Sequence, residues 1–114
     1  MGQTDHEKSY TDYYEEYLSK NELCVEERLS LLRKFQQALL NSGETLVAFE
    51  TVGRELEKFR GLTSRELGLT YNGMIRISCQ SGEFSKALEY ASDAIAVFNE
   101  LEDEKSLSMV YNNI

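Results

Sequence analysis

The sequence predicts an all-α protein of about six helices, stacked as antiparallel pairs in a short α-solenoid. Apolar residues recur at intervals of three and four along most of the chain, no segment alternates strictly between apolar and polar residues, and proline is absent. Gly43, Gly61 and Gly82 follow the points where the apolar pattern stops, as expected for short turns between helices. With 114 residues, 41% hydrophobic and 28% charged, the chain has the size and composition of one folded domain.

The balance of charge argues against several classes of partner. The chain has 12 Lys and Arg against 20 Asp and Glu, and the resulting net charge of −8 repels nucleic-acid phosphates and anionic lipid headgroups. No apolar stretch of about 18 residues is present, and the first residues lack the basic and apolar regions of a signal peptide. We therefore expect a soluble, cytoplasmic protein that binds neither nucleic acid nor membrane.

Three helices are predicted in the first half of the chain. The first is aromatic and carries apolar side chains at helical spacing at Tyr10, Tyr13, Tyr14, Tyr17 and Leu18. Asn21 is expected to cap a second helix, whose apolar residues cover two sides and which ends at Gly43. A third helix is expected from about Glu44 to Arg60.

Three more helices are predicted in the second half. Thr63 and Glu66 have the spacing of a capping box that begins a fourth helix, which ends near Gly82. A fifth begins at Phe84 and alternates small and large apolar residues. Asp103 is expected to cap a sixth helix that is still running at Ile114, so we expect the natural polypeptide to continue.

Helix pairs recur along the chain with a period of about 40 residues. Residues 69–74 align with residues 109–114 at a spacing of 40, and an aromatic residue followed by asparagine recurs in register. Gly43 and Ala48 align with Gly82 and Ala87 at a spacing of 39. Such repetition of a helix pair is typical of an α-solenoid.

The second unit resembles the tetratricopeptide repeat (TPR) family at the stretch Gly82-Glu83-Phe84-Ser85-Lys86-Ala87, followed by Ala94. Gly82 permits a tight turn, Phe84 is expected to pack between helices, and Ala87 and Ala94 allow two backbones to approach closely. The resemblance divides the chain into a tail with an N-terminal capping helix (1–20), a degenerate repeat (21–61), a clear repeat (62–102) and the first helix of a truncated repeat (103–114). Repeats of this length are similar to those that precede a diguanylate cyclase or histidine kinase domain in bacterial signalling proteins.

A concave binding groove is predicted from the polar residues that share one helix face. Alignment of the repeats places Arg33, Asn72 and Asn112 at one equivalent position, and Gln37 and Arg76 at another position four residues later. TPR grooves that resemble this one hold an extended peptide or its carboxylates, because arginine and amide side chains satisfy anionic and backbone acceptors. The alternative is that these residues are simply solvated.

Residues able to carry out catalysis are scarce in this chain. His6 is the only histidine, and Cys24 and Cys79 lack the spacing of metal ligands, so we expect no enzyme, metal site or cofactor. Acidic clusters lack the order that wraps calcium, and no phosphate-binding glycine loop is present. The tyrosine stripe that begins at Tyr10 either covers the first layer of the repeats or offers an interaction surface.

The sequence therefore predicts a module that binds a protein, a peptide or an attached output domain without chemistry. The alternative is a structural segment that forms a homodimer through the C-terminal helix, by way of Leu107, Val110 and Ile114.

Overall fold

The computed structural model describes residues 9–114, which form six α-helices. They are α1 (Tyr10–Lys20), α2 (Val25–Asn41), α3 (Thr45–Leu56), α4 (Arg65–Gln80), α5 (Phe84–Glu100) and α6 (Glu104–Asn113), and a 3₁₀ turn (Glu57–Phe59) follows α3. No strand occurs within this described range, so the prediction of an all-α fold is confirmed. His6 lies outside it.

Local chemistry sets the helix ends, and two predicted N-caps were wrong. Asn21 ends α1, where its side-chain amide donates to the Tyr17 carbonyl at 2.9 Å, and α2 begins after Cys24. Ser64 caps α4 in place of Thr63, because the Ser64 hydroxyl is the group that accepts from a backbone N–H of the first turn. Asp103 caps α6 as predicted.

Four turns in the described residues contain a left-handed residue; glycine supplies three of them, and Glu102, with φ of +54°, is the fourth. Gly43, Gly61 and Gly82 have φ of +76°, +90° and +77°, a region that side chains with a Cβ rarely adopt. The predicted role of Gly82 in a tight turn is therefore confirmed. The predicted third helix is shorter than expected, because α3 tightens into the 3₁₀ turn before Gly61.

Helix α4 lies at the centre of the molecule. It packs most extensively on α5 and also contacts α2, α3 and α6. On a different side of α2, the ring of Tyr14 in α1 stacks on Phe35 with centroids 4.5 Å apart. Helices α1 and α6 thus flank the pair formed by α2 and α4.

Buried positions recur at a spacing of 39 residues. Leu32, Tyr71 and Val110 are buried at equivalent points of α2, α4 and α6. The small residues Ala48 and Ala87 are likewise buried at equivalent points of α3 and α5. The two helix pairs α2–α3 and α4–α5 therefore use the same sequence positions for packing.

The alanines predicted to pack are buried, but the aromatic residue beside them is not. Ala87 and Ala94 lie in the core, with Ala94 fully enclosed. Phe84 was expected to fill the space between helices, yet 65% of its surface is exposed. The prediction for Phe84 was wrong because it is the first residue of α5, where the helix starts on the outside of the fold.

One of the three residues predicted to form a dimer surface on α6 is buried. Val110 is fully enclosed and cannot contact another copy, whereas Leu107 is partly buried against the core. Ile114 is exposed. No helix in residues 9–114 is long and apolar enough to cross a membrane.

Candidate functional site

A depression rich in polar side chains lies across α2, α4 and α6 and has a volume of about 370 Å³. We call it the amide groove. Its lining residues are Arg33, Gln37, Leu40, Asn41, Leu69, Asn72, Gly73, Arg76, Gln80, Met109 and Asn113.

The charge of the amide groove is opposite to that of the chain. Its lining contains two arginines and five side-chain amides but no carboxylate, although the chain has 20 acidic residues against 12 basic ones. An anionic ligand therefore meets hydrogen-bond donors and positive charge in this groove, whereas the remaining surface of this acidic protein repels it.

The polar residues form three rungs between α2 and α4. Each rung pairs residues 39 positions apart: Arg33 with Asn72, Gln37 with Arg76, and Asn41 with Gln80. Successive rungs are four residues apart along each helix and therefore lie on one face. The sequence predicted the first two rungs and missed the third, which the same 39-residue spacing could have revealed.

The two arginines have different surroundings. Arg33 is half-buried, and its Nε donates to Glu66 Oε1 at 2.8 Å, so its charge is largely compensated. Arg76 is exposed and makes no hydrogen bond or ion pair with any residue from 9 to 114. Its guanidinium group is thus the one in the groove that is available for a ligand carboxylate. Glu66 does not complete the predicted capping box, because the cap is Ser64 and the third helical residue is then Leu67.

Hydrogen bonds orient two of the amides. Asn72 Oδ1 accepts from Asn113 Nδ2 at 2.8 Å, which leaves the amino group of Asn72 to donate. Gln80 Oε1 accepts from the Thr45 hydroxyl at 3.5 Å, a long contact that also leaves an amino group for a ligand.

Asn113 occupies the place that the sequence assigned to Asn112. The prediction for Asn112 was wrong, because the residue that lines the groove and donates to Asn72 stands 41 positions after it and not 40. A shift of one residue rotates a side chain by about 100° around a helix, and Asn112 is accordingly exposed outside the groove.

Gly73 lies in the lining of the groove and packs against Gln36 beneath it. Gln36 is fully buried, and its Nε2 donates to the Thr70 carbonyl at 3.0 Å. A Cβ on Gly73 would stand 2.6 Å from Gln36 Oε1, so a side chain at position 73 requires the Gln36 amide to move. Gln36 was not predicted from the sequence. The signal that could have indicated it is a polar residue at a position where α2 packs against a neighbouring helix.

The tyrosine stripe of α1 divides into buried and exposed residues. Tyr14 is buried, and its hydroxyl donates to Glu55 Oε1 at 3.3 Å. Burial, together with the charge of Glu55, raises the pKa of Tyr14 well above its ordinary value. Tyr10, Tyr13 and Tyr17 remain about half-exposed. Tyr14 thus covers the first layer of helices, while the other three form an open aromatic surface.

A second cluster of titratable groups lies where α4 and α5 meet. The rings of Tyr71 and Tyr90 have centroids 6.1 Å apart. Burial raises the pKa of Tyr90 to about 12 and also raises the pKa of Asp93. Nearby, Arg60 forms two hydrogen bonds to Glu57, the shorter at 2.8 Å. Within the described part of the chain, no three His, Cys, Asp or Glu side chains are grouped so that they could hold a metal ion.

Comparison of the chain with protein-family models, with curated proteins and with solved structures gave no match. The chemistry of the amide groove is therefore the basis on which a function is inferred.

Proposed function

We propose that the chain is a non-catalytic, TPR-like module that binds an extended peptide bearing acidic side chains in the amide groove. The observation that carries this proposal is the lining of the groove, which has two arginines, five amides and no carboxylate in a chain of net charge −8. Side-chain amides can both donate to and accept from a peptide backbone, and an arginine can hold a carboxylate through two parallel hydrogen bonds.

The spacing of the rungs suits an extended ligand. Four residues along a helix rise about 6 Å, and two residues of an extended chain advance about 6.6 Å. Every second side chain of a bound peptide would therefore meet the next rung. Because Arg76 belongs to the middle rung, we expect one acidic side chain near the centre of the bound segment.

Relationship to the TPR family is supported by the 39-residue recurrence of buried positions, the left-handed Gly82 and the buried Ala87 and Ala94. By that resemblance we propose a cytoplasmic interaction region of a larger bacterial signalling protein, with the partner either a separate protein or an attached output domain. The recurrence itself is what supports this wider assignment.

The proposal is tested by nuclear magnetic resonance titration of the ¹⁵N-labelled chain with acetylated hexaglutamate and, separately, with acetylated hexalysine. Hexaglutamate should shift amide resonances within residues 33–41 and 69–80, and its affinity should fall as ionic strength rises above about 0.1 M, where charges are screened over about 10 Å. Preference for hexalysine, or shifts spread over the whole acidic surface, would overturn the proposal.

Two substitutions sharpen this test. Arg76→Ala should weaken hexaglutamate binding by about 10-fold or more, since hydrogen bonds to a charged group contribute about 1.5–3 kcal/mol. Glu66→Gln should strengthen it, because Arg33 then loses its carboxylate partner and becomes available to the ligand. Arg54→Ala is the matched control, because Arg54 is also an exposed arginine but lies on α3 outside the groove.

A further inference from the structure

A separate depression of about 210 Å³ lies between the loop that joins α3 to α4, helix α4 and the second half of α5. We call it the loop depression. It shares no lining residue with the amide groove. Sites for drug-sized ligands measure roughly 300–1,000 Å³, so a depression of this volume suits a group of the size of one amino-acid side chain. Its polar lining residues are Arg60, Thr63, Tyr71, Asp93 and Glu100.

Asp93 brings a carboxylate without a hydrogen-bonding partner to this depression. It is half-buried on α5 and makes no hydrogen bond or ion pair with any residue from 9 to 114. Arg60 lines the same depression, but its guanidinium group already donates to both carboxylate oxygens of Glu57, at 3.2 and 2.8 Å. Burial raises the pKa of Asp93, because its charged form is poorly solvated. A cation that approached Asp93 would therefore stabilise a charge that the fold leaves uncompensated.

Tyr71 brings a hydroxyl that is also without a partner. Its side chain is only 4% exposed, and its hydroxyl makes no hydrogen bond within the described residues. The fully enclosed side-chain atoms that lack a partner belong to Gln36, Ser78 and Ser81, so the hydroxyl of Tyr71 still reaches the surface, at the depression that Tyr71 lines. Buried tyrosine hydroxyls usually find a hydrogen-bond partner. This one is therefore available to a ligand.

The rest of the lining is apolar. Leu62 in the loop is exposed, and Val97 on α5 lies beneath it in the same depression. Lysine and arginine lay their methylene groups along apolar surface while the charged head stays at polar groups. A metal ion is a poorer fit, because no three His, Cys, Asp or Glu side chains in residues 9–114 are grouped so that they could hold one.

We propose that the loop depression binds the side chain of a lysine or an arginine from a partner protein. The cationic head lies against Asp93 and donates to the Tyr71 hydroxyl, while the methylene groups cover Leu62 and Val97. The net charge of −8 steers a basic partner towards the chain. This proposal does not rest on peptide binding in the amide groove, because the two depressions have no lining residue in common.

The proposal is tested by nuclear magnetic resonance titration of the ¹⁵N-labelled chain with Nα-acetyl-lysine methylamide and with the corresponding arginine derivative. Each is compared with an uncharged counterpart of similar shape, Nε-acetylated lysine and citrulline. The cationic derivatives should shift amide resonances within residues 60–63 and 93–100, and the uncharged ones should not. Those residues lie outside the ranges expected to respond to hexaglutamate, so failure of this proposal and failure of the amide groove are distinguishable. Equal binding of charged and uncharged derivatives, or shifts spread over the whole acidic surface, would overturn the proposal.

Three substitutions change the groups that hold the cation. Asp93→Asn should weaken binding of the lysine derivative by about 10-fold or more, because it removes a hydrogen bond between charged groups. Tyr71→Phe keeps the ring and removes the hydroxyl, and it should weaken binding by about 2- to 10-fold. Arg60→Gln should strengthen binding, since it removes a positive charge from the depression and frees the carboxylate of Glu57.

Two matched controls lie outside the depression. Tyr90→Phe removes the hydroxyl of the other buried ring of the pair, which also makes no hydrogen bond in the described residues but does not line the depression. Glu50→Gln removes an exposed carboxylate on α3. Both should bind like wild type, and circular dichroism checks that every variant is folded. Unchanged binding by folded Asp93→Asn, or equal losses in Tyr71→Phe and Tyr90→Phe, would overturn the proposal.

Discussion

Gly73 lies directly against the buried side-chain amide of Gln36, so closely that a Cβ at position 73 would stand 2.6 Å from Oε1 and 2.9 Å from Nε2. Gln36 is fully enclosed, and its Oε1 has no hydrogen-bond partner among the described residues. The two residues therefore lie in the tightly packed contact between α2 and α4, beneath the amide groove that Gly73 lines.

We expect Gly73→Ala to lower the free energy of unfolding by up to about 2 kcal/mol. Overpacking costs about 1–3 kcal/mol and occasionally more, and the better helix propensity of alanine returns about 1 kcal/mol. Denaturant unfolding measures the change. In the double variant Gln36→Ala/Gly73→Ala the new methyl group has room. The loss of unfolding free energy in the double variant should therefore be smaller than the sum of the losses in the two single variants. Strict additivity would show that the two residues do not meet.

Tyr14 is the buried residue that attaches α1 to the rest of the molecule, through its stacking on Phe35. We expect Tyr14→Ala to cost on the order of 3 kcal/mol, as for other buried aromatic side chains replaced by alanine. Amide hydrogen exchange should accelerate throughout α1 and stay slow in α4. Tyr10→Ala, which removes an exposed ring from the same helix, should have little effect. Equal effects of both variants would contradict the assigned packing.

Ala94 is fully buried on α5, whereas Ala96 on the same helix is exposed. Ala94→Leu should lower the free energy of unfolding by about 1–3 kcal/mol, because the larger side chain forces neighbouring helices apart. Ala96→Leu should be nearly neutral and is the matched control. Thermal melting of the two variants measures the difference, and similar melting temperatures would show that α5 packs through another face.

Asp103 caps α6 through hydrogen bonds from the Ser106 hydroxyl at 2.7 Å and the Ser106 backbone N–H at 3.1 Å. These bonds, with a smaller contribution from Arg65, lower the pKa of Asp103 below its ordinary value of 3.8. The cap therefore stabilises the fold fully above that ordinary value, and its contribution is lost as the pH falls through the lower pKa of the folded state.

We accordingly expect Asp103→Ala to be less stable than wild type at neutral pH and the difference between them to shrink at acid pH. Denaturant unfolding at several pH values measures it. Glu100→Gln is the control, because it removes a neighbouring carboxylate that makes none of these bonds. Its difference in unfolding free energy from wild type should not shrink in the same way at acid pH. A difference for Asp103→Ala that is constant with pH would contradict the role of the ionised cap.

Much of the fold and part of the groove could be predicted from the sequence. The spacing of apolar residues predicts each helix, because helical periodicity is a local property that needs no neighbour. Alignment of the repeats placed Arg33 and Asn72 on one rung and Gln37 and Arg76 on the next. The turn at Gly82 was equally accessible, since a positive φ is a property of a single residue.

Tertiary structure alone decided which of these side chains act together. Glu66 was assigned to a cap, but only the approach of α2 shows that it compensates Arg33. Phe84 has the composition of a core residue, yet its exposure depends on where α5 begins relative to its neighbours. Asn113 replaces Asn112 in the groove because steric packing between helices sets the register of α6, and one residue of shift turns a side chain by about 100°. The sequence by itself determined where helices form and which side of each helix is apolar. Which of those sides contact each other depends on distances between helices in the folded structure, and a linear pattern of residues does not contain them.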